Sequence, residues 1–333
     1  MDGNQMHPAV RMITSLSKRL VVLIPLSMLL GLFVGAVFDL SALKGLILPL
    51  TILMVYPMLV NFRPANAFAL HHGRAVGLAM ALNFVAWPLL SWMLARIFFS
   101  EEPGLFVGLL LVGIFPTSGM TISWTGLAKG DVAAAVQMTV IGLLAAAVLA
   151  PLYILWLAGA VVEVDVWAVA RTVAMVIFVP MIAGILTRRV LVRSFGQQKY
   201  KERIAPIFPG LSTIGVMAIV FVAIGLKAPM ILADPALLLR VAVPLLIFYV
   251  IAFVVATIAA RSLLCRSSAV AAVYGSVMRN LSIALGIAIA SFGPEAALVL
   301  AAAYIVQVQG AAWYVHLAEP VLSSAEECAS VST

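Results

Sequence analysis

The chain has 333 residues, of which 64% are hydrophobic and only 10% are charged, and its formal net charge is +7. Soluble domains are about 45–50% apolar and about 25% charged, so this composition excludes a soluble protein and predicts one that lies in a membrane. The excess of basic residues is therefore expected to set orientation in the bilayer rather than to bind nucleic acid.

Ten apolar segments follow one another along the chain. Each is close to the length of about 20 residues that a helix needs to cross a hydrocarbon core of about 30 Å. They are continuous and lack the alternation of lipid-facing strands, so they predict helices rather than a barrel. We interpret the first as a retained span, since it is long for a signal peptide and lacks a cleavage site. The predicted spans are 20–38, 45–62, 74–98, 105–127, 132–157, 166–186, 207–226, 237–260, 269–291 and 296–315.

Basic residues are distributed unequally between the connecting segments. If the N-terminus is cytoplasmic, fourteen lie on the cytoplasmic side and five on the other side. The positive-inside rule then predicts that both termini are cytoplasmic, in a multi-pass protein of a plasma membrane such as the bacterial inner membrane. The cytoplasmic set is Arg11, Lys18, Arg19, Arg63, Arg74, Lys129, Arg188, Arg189, Arg193, Lys199, Lys201, Arg203, Arg261 and Arg266. The outer set is Lys44, Arg96, Arg171, Lys227 and Arg240.

The longest and most basic loop, 187–206, lies between spans 6 and 7. A shift of 164 residues lays spans 7–10 over spans 2–5 and places Asp131 over Glu295. Because each half has an odd number of spans, the halves should be inverted relative to each other, which is typical of secondary transporters. We predict a cytoplasmic segment 1–19, a first five-helix repeat 20–157, a second repeat 158–315 and a cytoplasmic tail 316–333.

Spans 4 and 9 are interrupted at equivalent positions. Pro116 removes a backbone hydrogen bond from span 4 and Gly119 weakens the helix further. The shift of 164 residues takes Pro116 onto Asn280, beside Arg279. Corresponding interruptions in two halves are the best indication of a transport site in a sequence.

Polar residues cluster near these two interruptions. A single serine or threonine in a span can simply bond to its own helix, but a cluster at two breaks favours a binding site. The predicted substrate-binding residues are Arg279, Asn280, Thr117, Ser118, Thr121 and Ser282. A second layer behind them is predicted to contain Gln137, Thr139, Ser276 and Gln307.

Two stretches, ILMVYPMLVNFR in span 2 and GIFPTSGMTISWTGLAKGD across the span 4 interruption, resemble the superfamily of bile-acid:sodium symporters and arsenical-resistance permeases. The resemblance covers about residues 20–315. It implies an all-α membrane protein with ten spans in two inverted five-helix repeats, whose broken spans 4 and 9 cross at the midplane. The stretches MVYP and SWTGLAKGD are closer to the arsenite-permease branch.

The chain departs from both branches at residues that those relatives use. Thr117 stands where the arsenite permeases have a cysteine, and Arg279 occupies the region of span 9 where both branches have a glutamate. Thr121 and Thr139 match hydroxyl sodium ligands of the symporters, whereas other ligand positions are apolar. These departures predict transport that does not depend on sodium.

Arg279 has no predicted carboxylate partner, because all thirteen acidic residues lie outside the spans. A charge at this depth costs at least about 2.5–3.5 kcal/mol unless a partner offsets it. One hypothesis is that the guanidinium caps carbonyls left free by the break in span 4, in place of the sodium ions of the relatives. The other is that it binds an anionic substrate, and the two hypotheses are compatible.

We interpret the chain as a secondary transporter that moves a small solute, an anion or oxyanion, by alternating access without sodium. Two alternatives remain open: an arsenite or metalloid efflux permease, and a sodium-coupled organic-anion symporter. No phosphate-binding G-x-x-x-x-G-K-[ST] loop is present and no histidine lies in a span, so no enzyme activity, cofactor or metal is expected. The expected partners are the solute and membrane lipid, without nucleic acid; the sequence leaves the oligomeric state open.

Overall fold

The computed structural model describes residues 19–61, 72–159 and 165–322. Regular structure in these ranges is entirely helical, as the composition predicts, and it contains no strand. Residues 1–18 of the predicted N-terminal segment and residues 323–333 of the predicted tail lie outside the described ranges.

Twelve α-helices form the body of the described chain. Those of the first half are α1 (Leu20–Val37), α2 (Ile47–Val60), α3 (Gly73–Phe98, with a π-helical turn at Leu82–Ala86), α4 (Pro103–Ile114), α5 (Met120–Leu127) and α6 (Val132–Ala158). In the second half, α7 consists of Val166–Val173 and Val179–Phe195, joined by the π-helical turn Ala174–Phe178. It is followed by α8 (Ile207–Ala233), α9 (Ala236–Leu263), α10 (Arg266–Val277), α11 (Leu281–Ile287, continued by a π-helical turn at Ala288–Phe292) and α12 (Pro294–Leu322).

Seven helical segments are long and apolar enough to cross a membrane. They are α3, α6, α7, α9 and α12, the segment Gln197–Pro229 that contains most of α8, and α10 together with α11. Three further apolar helices are shorter, at Val22–Val37, Pro49–Val60 and Pro103–Ile114. The chain is therefore a helical, multi-pass membrane protein, while the count of ten crossings stays a prediction.

Several helices are longer than the apolar segments that predicted them. Helix α7 continues to Phe195 rather than residue 186, α8 continues to Ala233 rather than 226, and α12 continues to Leu322 rather than 315. A helix keeps its backbone hydrogen bonds after the sequence turns polar, so hydropathy locates the part in lipid and not the helix end. The first residues of the predicted tail are accordingly helical.

The helices pack in two groups. In the first, α8 packs against α1 and α2, and α7 packs against α2; in the second, α3–α6 pack with α9–α12. The contact between α1 and α8 is close, since a Cβ built on Gly31 would lie 2.6 Å from the carbonyl oxygen of Phe221. In the second group, 94% of the apolar part of α10 and α11 is buried, against 61% or less for the other candidate spans. The broken helix formed by α10 and α11 therefore lies at the centre of the molecule.

The two acidic residues that the sequence shift superimposes both lie at helix starts. Asp131 caps α6, with its Oδ1 accepting a hydrogen bond from the amide of Ala134 at 3.0 Å, as is typical of an N-cap. Its Oδ2 lies 2.8 Å from His72 Nδ1. Glu295 lies in the first turn of α12 and forms an ion pair of 2.8 Å with Lys227 of α8. This second pair joins the two helix groups.

Candidate functional site

Both predicted interruptions are places where the chain leaves the helix. Helix α4 ends at Ile114 and α5 begins at Met120, so Pro116 and Gly119 lie between them. Helices α10 and α11 are likewise separated by residues 278–280. Pro116 contributes to the first interruption, because it has no amide hydrogen to continue the helix.

The two interruptions bind each other through their backbones. The amide of Ser118 donates to the carbonyl oxygen of Met278 at 3.0 Å, and the amide of Asn280 donates to that of Phe115, also at 3.0 Å. Between these bonds, Thr117 has a φ of 32°, a left-handed conformation that is uncommon for residues other than glycine and costs of order 1–3 kcal/mol. The crossing of the two breaks is thus a single, constrained unit.

The Arg279 side chain replaces the hydrogen bonds that Pro116 removes from α4. The residue is 0% exposed, and its Nε donates to the carbonyl oxygen of Val112 at 3.0 Å while Nη2 donates to that of Gly113. In a continuous helix these carbonyls would accept from the amides of residues 116 and 117. Arg279 therefore caps the carbonyls at the end of α4, which is the first of the two hypotheses for its role.

The other guanidinium contacts pair a carbonyl group at the broken end of α10. Nη1 of Arg279 donates to the carbonyl oxygen of Ser276 at 3.0 Å and to Oδ1 of Asn83. Asn83 lies in the π-helical turn of α3, and its Nδ2 donates to the carbonyl oxygen of Gly275 at 3.0 Å. Four of the five guanidinium N–H groups are thereby used. The oxygens that accept them in this part of the chain are carbonyl and amide oxygens, without a carboxylate.

Gln307 holds the backbone of Arg279 on its other side. Its Oε1 accepts from the Arg279 amide at 2.7 Å, and its Nε2 donates to the Arg279 carbonyl at 3.2 Å. The hydroxyl of Tyr249 donates to the same Oε1 at 2.9 Å. The Arg279 carbonyl also accepts from the Leu281 amide at 3.0 Å. Because the backbone of Arg279 has left the helix, the Gln307 side chain supplies the acceptor that its buried N–H needs.

Gln307→Leu is expected to destabilise the folded protein, since it leaves the amide N–H of Arg279 and the hydroxyl of Tyr249 buried without the acceptor they share. Each unpaired group should cost about 1–3 kcal/mol. The control is Gln309→Leu, a half-buried position two residues further along α12. Thermal unfolding of the two purified variants in the same detergent compares them, and equal melting temperatures would contradict the role given to Gln307.

Three predicted substrate-binding residues use their polar groups for hydrogen bonds within the crossing itself. Thr117 Oγ1 donates to the carbonyl oxygen of Gly275 at 2.9 Å, and Thr121 Oγ1 donates to that of Tyr274 at 3.4 Å. Asn280 caps α11 through its Oδ1, and its Nδ2 donates to the carbonyl oxygen of Thr117 at 3.4 Å. In this conformation these side chains stabilise the breaks.

Ser118 differs from its neighbours. The residue is only 5% exposed, and its hydroxyl is buried without a hydrogen-bond partner in the described chain. Buried hydroxyl groups are normally paired. Ser118 is thus a polar group at the crossing that is available to a bound molecule.

The side chains of the remaining predicted residues bond elsewhere than to Arg279. The hydroxyls of Thr139 and Ser276 bond to carbonyls of their own helices, at 2.8 Å and 3.1 Å. Ser282 shares a hydrogen bond of 2.6 Å with the hydroxyl of Tyr304. Gln137 is buried in α6. The structure therefore brings together the residues at the two breaks, with Gln307, and places these others around them.

Sequence reasoning missed Asn83 and Tyr249. Asn83 is the only amide or charged side chain in the interior of the third predicted span, and such a residue in a membrane helix is by itself an indication of function. That signal was available in the sequence. Tyr249 gives no comparable signal, because tyrosine is common in membrane helices.

The sequence is similar to several known transporters. The profile of the Sodium Bile acid symporter family matches residues 48–234, a region that includes the break at Pro116 and ends before Arg279. The chain is 25% identical over 311 residues to the arsenical-resistance protein Acr3 of Corynebacterium glutamicum, which covers 87% of this chain and 84% of that protein. It is 25% identical over 207 residues to Acr3 of Alkaliphilus metalliredigens, covering 59% of this chain and 58% of that protein. It is also 32% identical over 142 residues to the Probable sodium/metabolite cotransporter BASS2, chloroplastic, of Oryza sativa subsp. japonica, covering 43% of this chain and 32% of that protein.

Proposed function

Since this chain belongs to the Sodium Bile acid symporter family, we propose that it is a secondary transporter that moves a small anion or oxyanion by alternating access. The family and its relatives are membrane transporters and not enzymes. The proposed architecture is ten spans in two inverted repeats, 20–157 and 158–315, in a plasma membrane with both termini cytoplasmic. The proposed substrate site lies between the repeats, as in other inverted-repeat transporters.

One observation supports this proposal above all others: a guanidinium occupies a cage of uncharged oxygens at the crossing. The cage consists of the carbonyl oxygens of Val112, Gly113 and Ser276 and of Oδ1 of Asn83. Carbonyl and amide oxygens are also the ligands that hard metal cations prefer. A cation that is covalently part of the protein cannot exchange with the solution, and it repels a second cation nearby. We therefore expect transport that does not depend on sodium.

The same charge favours an anionic substrate. The Arg279 guanidinium has no carboxylate among its partners in the described chain, so the crossing carries a net positive charge. Because four guanidinium N–H groups are already bonded, we propose that Arg279 attracts the anion mainly through its charge. The unpaired Ser118 hydroxyl and the neighbouring half-helix N-termini would provide contacts.

Efflux of arsenite or another metalloid is the second candidate. The observation in its favour is the similarity to the arsenical-resistance protein Acr3 over 84% of that protein. The observation against it is Thr117, whose hydroxyl is not a soft ligand of the kind that a cysteine sulfur provides. A sodium-coupled organic-anion symporter is a third possibility that the guanidinium cage disfavours.

Counterflow in proteoliposomes distinguishes these candidates. We expect saturable exchange with at least one small oxyanion or carboxylate from a panel, and no exchange of arsenite, which is uncharged near neutral pH. Saturable arsenite flux without anion flux would favour the metalloid permease. Flux that does not saturate and shows no counterflow would contradict a carrier of either kind.

A further inference from the structure

The linker between predicted spans 6 and 7, residues 187–206, is strongly basic. It contains six basic residues and one acidic residue, Glu202. Five of the basic side chains are exposed, and none of the ion pairs between described residues involves them. The carboxylate of Glu202 accepts a hydrogen bond of 3.1 Å from Gln198. The five exposed cations, which we call the basic set, are Arg189, Arg193, Lys199, Lys201 and Arg203.

The end of α7 places the first two of these cations where a lipid-facing surface ends. Exposed apolar side chains at Ile182, Leu186 and Val190 recur every four residues, so they form one stripe along the helix. Arg193 lies three residues beyond Val190 on the same face, and the helical rise puts it about 4.5 Å further along the axis. Arg189 flanks the last apolar residue of the stripe. Cations at the end of such a stripe lie at the depth of lipid headgroups.

The rest of the linker is attached to the end of α2. The chain reverses at Gly196, whose φ is 80°, and Tyr200 is then buried with 1% of its surface exposed. The Tyr200 hydroxyl donates to Oδ1 of Asn61 at 2.7 Å, and Nδ2 of Asn61 donates to the carbonyl oxygen of Ala205 at 3.0 Å. Asn61 is the residue that follows α2. The linker is therefore fixed against the end of α2.

We propose that the basic set binds the headgroups of anionic phospholipids. The partner is a lipid surface because two of the cations continue a lipid-facing stripe and the segment that carries the other three is attached to the end of α2. Basic residues beside a membrane helix attract anionic headgroups, and the attraction falls off within a Debye length of about 8–10 Å. A linker that is already folded on the protein surface does not have to be ordered when lipid binds. This proposal depends neither on the substrate nor on the direction of transport.

Lipid retention by the purified full-length chain tests the proposal. Protein in neutral detergent is mixed with phosphatidylglycerol or phosphatidylcholine, and bound lipid is counted by native mass spectrometry. We expect a preference of about tenfold or more for phosphatidylglycerol at low salt, which falls as salt is raised. Neutralising the basic set with Arg189→Gln, Arg193→Gln, Lys199→Gln, Lys201→Gln and Arg203→Gln should abolish the preference.

Two further variants control for charge and fold. Neutralising Arg96 and Arg171, which are exposed at the other end of the molecule by the proposed topology, should leave the preference intact. If the variant with all five substitutions does not purify as a folded protein, the double variant Lys199→Gln, Lys201→Gln gives the same test. Its preference for phosphatidylglycerol should fall by a smaller factor. Equal retention of both lipids by the native chain, an unchanged preference after neutralisation, or displacement of the lipid by inorganic phosphate would each overturn the proposal.

Discussion

Replacement of Arg279 by alanine is expected to abolish transport and to lower the free energy of unfolding by about 4 kcal/mol or more, because buried acceptors left unpaired cost about 1–3 kcal/mol each. Four oxygens at the crossing lose their donors in this variant. Arg279→Lys should be intermediate, since an ammonium keeps the charge but cannot reach four oxygens arranged around a planar guanidinium. Arg171→Ala, at an exposed arginine of α7, is the control.

Chemical rescue separates this role from a general loss of packing. Guanidinium or methylguanidinium at millimolar concentration should raise the melting temperature of the Arg279→Ala variant and restore part of its transport. Tetramethylammonium has the same charge but no N–H groups, so it should not rescue. If the Arg279→Ala variant has the same melting temperature as the native protein and transports normally, Arg279 is neither the cap nor the fixed cation described above.

A second large effect is expected at the contact between α1 and α8. Gly35→Leu should cost about 3 kcal/mol or more, because even a Cβ at this position would overlap the carbonyl oxygen of Gly225 and the backbones cannot both keep their places. Small residues at such contacts allow membrane helices to approach closely. We expect loss of the monodisperse species in gel filtration after mild heating.

The matched control is Gly77→Leu. Gly77 lies on the exposed side of α3, where a Cβ would meet nothing within 4 Å. This variant should elute and unfold like the native protein. Similar losses for Gly35→Leu and Gly77→Leu would show that the sensitivity is that of any glycine in a membrane helix and not of the contact between α1 and α8.

The positions of the two breaks could be predicted from the sequence because their causes are local. Pro116 removes a backbone hydrogen bond from span 4, and the shift between halves then directs attention to Asn280. The anomaly of Arg279 was also visible, since a charge in a long apolar segment must have a partner. Capping of α4 was one of two hypotheses for it, and the hydrogen bonds to Val112 and Gly113 are those of a cap.

What could not be predicted depends on how distant segments pack. The partners of Arg279 lie up to 196 residues away in the chain, and the contact with Asn83 requires the π-helical turn of α3, which has no sequence signature. The burial of Tyr200 could likewise not be predicted. The residue lies between Lys199 and Lys201 in a polar stretch that is typical of a solvated loop, yet it is buried against the end of α2.

Sodium binding by the native chain can be measured without knowing the substrate. If the Arg279 guanidinium takes the place of a bound sodium ion, replacing sodium chloride by choline chloride at constant ionic strength should not change the melting temperature of the purified protein. A ligand at about 100 times its dissociation constant would add about 2.7 kcal/mol to the free energy of unfolding, which is a shift large enough to detect. Saturable stabilisation of the native protein by sodium, absent with choline, would contradict a fixed cation at the crossing.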